Sequence, residues 1–127
     1  MSGSDNVSHF TPPDWHTITP RITVADAVGL VEFINRVFGA DAQYADNMPT
    51  VVKIGDSNLM VSKAGIRDQA TAFLYVYVPD VDETYKRAID VGATSLEQPS
   101  DLPYGDRRAM VKDPWGNLWQ IASHQRK

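Results

Sequence analysis

Apolar residues recur along the chain at two periods, one typical of helices and the other of strands. The segment 27–38 follows the helical period, and its predicted buried stripe comprises Leu30, Val31, Ile34 and Val37. Asp26 precedes this segment and can cap its first turn, while Gly39 can end it in the left-handed conformation. The pattern therefore predicts a helix over 27–38.

A second helix is predicted before Gly92 by the same reasoning. Either Asp80 or Asp82 can cap its first turn, and Gly92 ends it. The apolar stripe of this helix comprises Val81, Tyr85, Ala88 and Ile89. The stretches "ITVADAVGLVEFINRVFGADA" and "VYVPDVDETYKRAIDVGATSL" thus form a near-repeat, which indicates a duplicated supersecondary unit.

Segments with strand-like composition surround both helices. They are predicted at 43–45, 50–54 and 58–62 after the first helix, and at 95–97, 107–112 and 117–123 after the second. Each unit therefore reads βαβββ, which predicts an α+β fold in which two such units curl around a cavity and the helices cover the outer faces. The predicted boundaries are a flexible N-terminal arm over 1–16 and one domain over 17–127, with units at about 17–62 and 71–123.

Side chains alternate along a strand, so each strand has an inward face toward the cavity and a face toward the helices. The predicted inward set is Thr19, Arg21, Thr23, Asn58, Met60, Phe73, Tyr75, Tyr77, Arg108, Met110, Leu118 and Gln120. The predicted helix-facing set is Leu59, Val61, Leu74, Val76, Val78, Val111, Trp119 and Ile121. The helix-facing set already supplies a core, so the inward aromatic residues contact a ligand, contact a second subunit, or simply pack together.

Few charged groups are predicted on the inward face. Arg21 is expected among neutral neighbours, where it either pairs with a protein carboxylate or contacts a ligand anion. No inward carboxylate or histidine is predicted to serve as a base. His9, His16 and His124 lie near the chain ends and are expected to be solvated.

Composition excludes several other classes of protein. With 127 residues, 43% of them hydrophobic, the chain suits one globular domain. The net charge of −4 and the scattered basic residues argue against nucleic acid as a partner, and no apolar run is long enough to cross a membrane. The chain has no cysteine, so thiolate ligands and disulfides are excluded. The beginning "MSGSDNVSHFTPPD" does not look like a signal peptide, and the expected location is cytoplasmic.

Two stretches carry a resemblance to a known family. These are "TITPRITVADAVGLVEFINRVFGAD" near the start and "YGDRRAMVKDPWGNLWQIA" near the end. Together with the two βαβββ units they resemble the vicinal oxygen chelate superfamily of glyoxalase I, bleomycin-resistance proteins and extradiol dioxygenases. The resemblance covers about 17–123 and is strongest to the bacterial glyoxalase-like branch.

The resemblance also locates the positions at which metal-using members keep their His or Glu ligands. Those positions are held here by Thr19, Met60, Phe73 and Gln120. Neutral hydroxyl and amide oxygens, a thioether and a phenyl ring are poor ligands for a divalent metal. No metal and no other cofactor is therefore expected, and Gln120 offers hydrogen bonds where the enzymes keep a charge.

The favoured hypothesis is a metal-free protein that binds a small aromatic or amphipathic molecule, as resistance-type members do, and that forms a homodimer. Its expected ligand-binding residues are Arg21, Met60, Phe73, Tyr75, Tyr77, Arg108, Met110 and Gln120, together with Tyr104 from a loop over the pocket mouth. The alternative is a metal-dependent lyase, isomerase or dioxygenase of the glyoxalase type. A structural or regulatory dimer with a vestigial cavity is a third hypothesis. Catalytic residues and the identity of the ligand stay open.

Overall fold

The computed structural model describes residues 10–125, which form two helices and seven strands. Along the chain these are β1 (Arg21–Val24), α1 (Ala27–Phe38), β2 (Thr50–Ile54), β3 (Ser57–Lys63), β4 (Phe73–Tyr77), α2 (Val81–Asp90), β5 (Thr94–Asp101), β6 (Asp106–Lys112) and β7 (Leu118–His124). The α+β class predicted from the apolar pattern is confirmed.

Both helices begin at the predicted capping residues. The Asp26 carboxylate accepts a hydrogen bond from the backbone N–H of Gly29, and Asp80 accepts one from that of Glu83. These bonds satisfy N–H groups that have no partner within the first turn of a helix. Gly39 ends α1 with φ of 73°, in the left-handed region that favours glycine.

One predicted strand is wrong, because the segment 43–45 is not extended against a partner in the described chain. The side chain of Asn35 forms hydrogen bonds with the backbone just before this segment. The Asn35 amide donates to the carbonyl of Ala42 at 2.9 Å and accepts from its N–H at 3.0 Å. The N–H of Ala45 donates to Thr50 Oγ1 at 2.8 Å. The first unit is therefore βαββ, and the second is the full βαβββ.

The strands form two sheets of matching topology. Sheet one has the order β1-β3-β2, and sheet two has the order β4-β7-β6-β5. In each unit the first strand runs parallel to the last, and the remaining pairs are antiparallel. The sheets approach each other where Thr23 exchanges two backbone hydrogen bonds with Ala70, just before β4. This contact joins the two units beside the first strand of each.

A continuous core lies between the sheets and the helices. Phe38 at the end of α1 packs against Trp119 of sheet two, with ring centroids 5.1 Å apart, and Phe33 meets Trp115 edge-on at 5.9 Å. The Arg87 side chain of α2 donates two hydrogen bonds to the carbonyl of Val37, one of the carbonyls left free at the end of α1. The two units therefore share one interior.

The described residues include no helix that is long and apolar enough to cross a membrane.

The described part of the N-terminal arm contacts the domain. His16 Nε2 lies 2.9 Å from the carbonyl oxygen of Asp56, and the Asn58 amide donates to the carbonyl of Asp14 at 3.2 Å. The chain from Asp14 onward is thus held against the turn between β2 and β3. The remaining part of the predicted arm, with His9, lies outside the described residues.

Candidate functional site

A cavity of about 460 Å³ lies along one edge of β4. Within residues 10–125, β4 is the end strand of sheet two and is paired with β7 along one edge. On the unpaired side, it faces the segment 18–20 and the turn after β2. Residues of both β4 faces line the cavity, including Leu74 and Val76 on one face and Tyr75 and Tyr77 on the other. Its volume falls within the usual range for small-molecule sites.

The walls of this cavity are mixed in character. Ile18, Leu74 and Val76 supply apolar surface, while Thr19, Asn58 and His16 supply polar groups. An apolar pocket with a few polar groups is the usual composition of a site that binds a small organic molecule. Tyr75 and Tyr77 connect this cavity to the inward face of sheet two, which we call the tyrosine face.

The tyrosine face has the predicted alternation. Tyr75 pairs with Gln120 across β4 and β7, and Gln120 pairs with Met110 across β7 and β6. Trp119, Ile121 and Val111, which point the other way, are fully buried toward the helices. In the single chain Phe73 and Tyr77 keep 60% and 61% of their surface exposed, which is unusual for large aromatic side chains.

A buried carboxylate organises the tyrosine face. Asp106 at the start of β6 is 2% exposed. Its Oδ2 accepts hydrogen bonds from the hydroxyls of Tyr75 at 2.6 Å and Tyr77 at 3.0 Å. Its Oδ1 lies 2.8 Å from Nδ1 of His124, the last residue of β7. Because a carboxylate can only accept, these contacts assign the proton of the neutral imidazole to Nδ1.

The hydrogen bonds to Asp106 favour its charged form. The Tyr75 hydroxyl, followed by His124 and then Tyr77, lowers the pKa of Asp106. Burial and its hydrogen bond to Asp106 raise the pKa of Tyr75. The separate hydrogen bond from Tyr77 to Asp106 raises the pKa of Tyr77. The face therefore holds a carboxylate anion beneath two phenols that stay protonated.

Arg108 and Tyr104 lie beside this group. Arg108 donates to the Tyr104 hydroxyl at 3.1 Å and to Glu97 at 3.3 Å. Its Nε is buried and has no acceptor among the described residues. The Tyr104 hydroxyl also lies 3.5 Å from that of Tyr75. Because the Tyr75 hydrogen goes to Asp106, Tyr104 is the donor in this long contact, and its hydrogen could turn to a ligand oxygen placed over the face.

Two expectations about charge on the inward face were wrong. Asp106 and His124 are an inward carboxylate and an inward histidine, both missed by sequence reasoning. The reason is a one-residue error at each strand boundary, because β6 begins at Asp106 rather than Arg107 and β7 ends at His124 rather than Ser123. Alternation continued back from Arg108 and forward from Gln120 reaches both residues.

The expectation for Arg21 also needs correction. Its side chain is exposed rather than desolvated, and Nε donates to Ser62 Oγ at 3.0 Å within sheet one. Exposure removes the need for an anion to compensate its charge. The neighbouring Arg107 donates to Asp82 at 3.0 and 2.9 Å and to Asp101 at 3.1 Å, outside the site.

The remaining predicted site residues fall into two groups. Phe73, Met110 and Gln120 lie with the tyrosines on sheet two, whereas Arg21 and Met60 are register partners on sheet one. Among all the predicted ligand-binding residues, Tyr75 and Tyr77 are the two that also line the cavity.

The four positions that the resemblance assigns to metal ligands carry side chains with poor donor atoms. Thr19 and Met60 belong to the first unit, and Phe73 and Gln120 are in the second. Their neutral, weak or absent donor atoms do not fit a divalent cation. Among residues 10–125, no three His, Asp or Glu side chains lie close enough together to hold one.

The fold and this face define a class of protein, and sequence comparison identifies the same class. A sequence model of the Glyoxalase/Bleomycin resistance protein/Dioxygenase superfamily matches residues 8–121, and the chain belongs to that superfamily. An uncharacterized protein of Mycobacterium bovis is 35% identical, over 87% of this chain and 84% of its own. One of Mycobacterium tuberculosis strain H37Rv is also 35% identical, over 87% of this chain and 75% of its own.

Solved structures agree on the fold. TioX from Micromonospora sp. ML1 superposes with a TM-score of 0.71 at 23% identity, covering 86% of this chain and 98% of that one. A glyoxalase/bleomycin resistance protein/dioxygenase family enzyme from Burkholderia phytofirmans PsJN gives 0.69 at 22% identity, covering 82% and 94%. At such identities the likeness concerns the fold alone.

Proposed function

We propose that this protein binds a small aromatic or amphipathic molecule without using a metal. The observation that carries the proposal is the cavity along β4, where apolar walls adjoin the exposed tyrosine face. Aromatic side chains supply large contact area at little cost in side-chain entropy, and the neighbouring hydroxyls and amide can orient a polar substituent.

The chemistry of the four positions that the resemblance assigns to metal ligands favours binding over metal-dependent turnover. A divalent metal acts in enzymes as a Lewis acid that polarises a substrate oxygen, and it needs charged or imidazole ligands to stay bound. Thr19, Met60, Phe73 and Gln120 offer neither. The alternative of a metal-dependent lyase, isomerase or dioxygenase therefore has weaker support from these residues.

A second copy of the chain is part of the proposal. Phe73, Tyr77 and Tyr104 are each at least 60% exposed in one chain, and together they form an aromatic patch on sheet two. Contiguous exposed aromatic surface of this kind is characteristic of ligand-binding or subunit contacts. In a homodimer the partner would cover this patch and complete the walls around a ligand.

The binding proposal is tested by filling the cavity. Thr19 is half-buried and lines the cavity, while Thr17 is exposed and is not part of the lining. We expect 4-nitroanisole, an uncharged aromatic probe, to bind wild-type protein saturably in the presence of a chelator. Thr19→Trp should weaken its binding about tenfold or more, a loss of about 1.4 kcal/mol, and Thr17→Trp should leave it within about twofold.

Equilibrium dialysis measures all three proteins directly. Equal affinity of the two tryptophan variants would contradict binding along β4. Loss of wild-type binding on adding the chelator would contradict the metal-free part of the proposal.

A further inference from the structure

The Asp106–His124 pair has features that a purely structural ion pair does not need. The carboxylate is buried and the imidazole is largely exposed, with side-chain exposures of 3% and 59%. Nδ1 of His124 faces the carboxylate, so the neutral ring presents an unprotonated Nε2 on its other side. A buried aspartate that fixes the tautomer of an exposed histidine directs the lone pair of Nε2 away from the carboxylate.

The surroundings of His124 restrain its ring on two sides. Gly105 has φ of 104°, a conformation that favours glycine, and a Cβ added there would lie 3.1 Å from Cε1 of His124. The backbone N–H of Gln125 donates to the carbonyl of Gly105 at 2.8 Å, which joins the end of β7 to the turn before β6. The imidazole is thus held on one side by its carboxylate and on another by a turn without a side chain.

Donors for an anion lie on the same face. Arg108 follows Asp106 by two positions on β6, so its side chain emerges on the side of the sheet that carries His124. Its guanidinium donates to the Tyr104 hydroxyl, whose own hydrogen makes only the long 3.5 Å contact with the Tyr75 oxygen. The other charged or titratable groups on this face are Tyr75 and Tyr77 from β4, whose hydroxyl hydrogens already go to Asp106, and Glu97 from β5, which pairs with Arg108. Lys112, at the far end of β6, is on the same face and exposed.

From this arrangement we propose that the tyrosine face binds phenols and takes their hydroxyl proton. The O–H bond of the ligand breaks, its electron pair stays on the oxygen, and the proton moves to Nε2 of His124. The resulting imidazolium is stabilised by the Asp106 carboxylate, and the phenolate oxygen is stabilised by Arg108 and Tyr104. The aromatic ring of the ligand lies against Tyr75, Tyr77 and Phe73.

This inference rests on the proposed function and narrows it to one class of ligand. It also replaces Arg21, which is engaged on sheet one, with Arg108 as the cation that recognises the acidic oxygen. A phenol and its methyl ether separate the two proposals, because they share an aromatic ring but only the phenol has a proton to give.

The probes are 4-nitrophenol, whose anion absorbs visible light, and 4-nitroanisole. They are measured with the full chain at a pH one unit below the phenol's own pKa, where about a tenth of the free phenol is ionised. We expect most of the bound 4-nitrophenol to show the spectrum of the phenolate. His124→Gln and Asp106→Asn should each weaken 4-nitrophenol binding about tenfold and abolish that spectrum, while His124→Gln changes 4-nitroanisole binding less than about twofold.

Asp101→Asn is the matched control, because it makes the same chemical change on sheet two at an exposed residue that pairs with Arg107. It should leave both probes unaffected. If a variant fails to fold, a neutral spectrum of 4-nitrophenol bound to wild-type protein still overturns the proposal.

The outcomes separate the two proposals. If both probes bind wild-type protein but bound 4-nitrophenol keeps the neutral spectrum, the proton-accepting role is wrong and aromatic binding stands. A phenolate spectrum that survives in His124→Gln also overturns that role. If neither probe binds, the proposed function fails, and this inference fails with it.

Discussion

Asp113 shows how one side chain can define a turn in this family of folds. It is 3% exposed, and its carboxylate accepts four hydrogen bonds. They come from the backbone N–H groups of Trp115 and Asn117, the Asn117 amide and the indole N–H of Trp119. The carboxylate therefore fixes both the turn and the start of β7, the strand that carries Gln120 and His124.

Asp113→Ala should destabilise the protein strongly. Removing the carboxylate leaves buried donors without an acceptor, at a cost of about 1–3 kcal/mol for each donor that water cannot reach. We expect a total loss of at least about 3 kcal/mol in the free energy of unfolding, measured by urea denaturation. Asp68→Ala, at an exposed aspartate, is the control and should change it by less than about 0.5 kcal/mol. A similar small loss in both variants would contradict this account of the turn.

The network around Asp106 predicts a pH dependence of stability. Folding lowers the pKa of Asp106. Its contribution to stability is therefore present above the unfolded pKa of about 3.9 and is lost as the pH falls through the folded pKa. Folding raises the pKa of Tyr75. The contribution of Tyr75 to stability is therefore complete below about pH 10, the unfolded pKa, and is lost at higher pH.

Asp106→Asn should therefore lower the melting temperature at pH 7, and the difference from wild type should narrow below about pH 4, where the wild-type carboxyl also becomes protonated. Thermal unfolding followed by circular dichroism across this range makes the comparison, with Asp68→Asn as the exposed control. A constant difference at all pH values would mean that the charge of Asp106 is not what stabilises the face.

At the scale of elements, the helices were predictable because their signals are local. The apolar stripe of α1 and the caps at Asp26 and Asp80 involve residues within a few positions of one another. The segment 43–45 was predicted wrongly, since the Asn35 side chain, which bonds Ala42 on the far side of the helix end, competes with strand pairing. Propensity alone does not reveal such a competitor.

The candidate site was only partly predictable for a related reason. Alternation within one strand identified Tyr75 and Tyr77, because it depends only on the count along β4. The Asp106–His124 pair depends on the register between β6 and β7 and on where those strands begin and end. Strand boundaries are the least certain part of a sequence-based prediction, and an error of one residue at each boundary was enough to hide the pair.

Gly29 allows the first turn of α1 and the turn before β7 to pack closely together. It lies in the first turn of α1, where a Cβ would collide with the Asp26 carboxylate and lie 2.7 Å from Cζ2 of Trp115. Trp115 belongs to the turn before β7, and its indole N–H donates to Asp26 at 3.3 Å. The absence of a side chain at Gly29 therefore lets the second unit contact the cap of the first helix.

Gly29→Ala should destabilise the protein although alanine favours helices by about 1 kcal/mol. Overpacking at a contact of this kind costs about 1–3 kcal/mol, because the indole or the cap must move. Gly65→Ala is the matched control, since its Cβ would meet nothing within 4 Å. Chemical denaturation of both variants tests this, and a Gly29→Ala protein as stable as wild type would show that the Trp115 contact yields without cost.

At the scale of the whole molecule, the exposed tyrosine face predicts association. Phe73→Glu places a charge in the aromatic patch and should raise the dimer dissociation constant at least about tenfold, whereas Lys53→Glu on the exposed part of β2 should not. Analytical ultracentrifugation should give twice the chain mass of 14.1 kDa for wild-type protein at micromolar concentration. A monomer mass under those conditions would contradict the homodimer.

Nuclear magnetic resonance can show directly whether a small aromatic molecule binds along β4 without a metal. Amide spectra of ¹⁵N-labelled protein are recorded in the presence of a chelator as 4-nitroanisole is added. The account predicts saturable shifts concentrated at Thr19, Asn58 and Val76, which line the cavity. No shifts at saturating probe, or shifts confined to the exposed sides of α1 and α2, would contradict it.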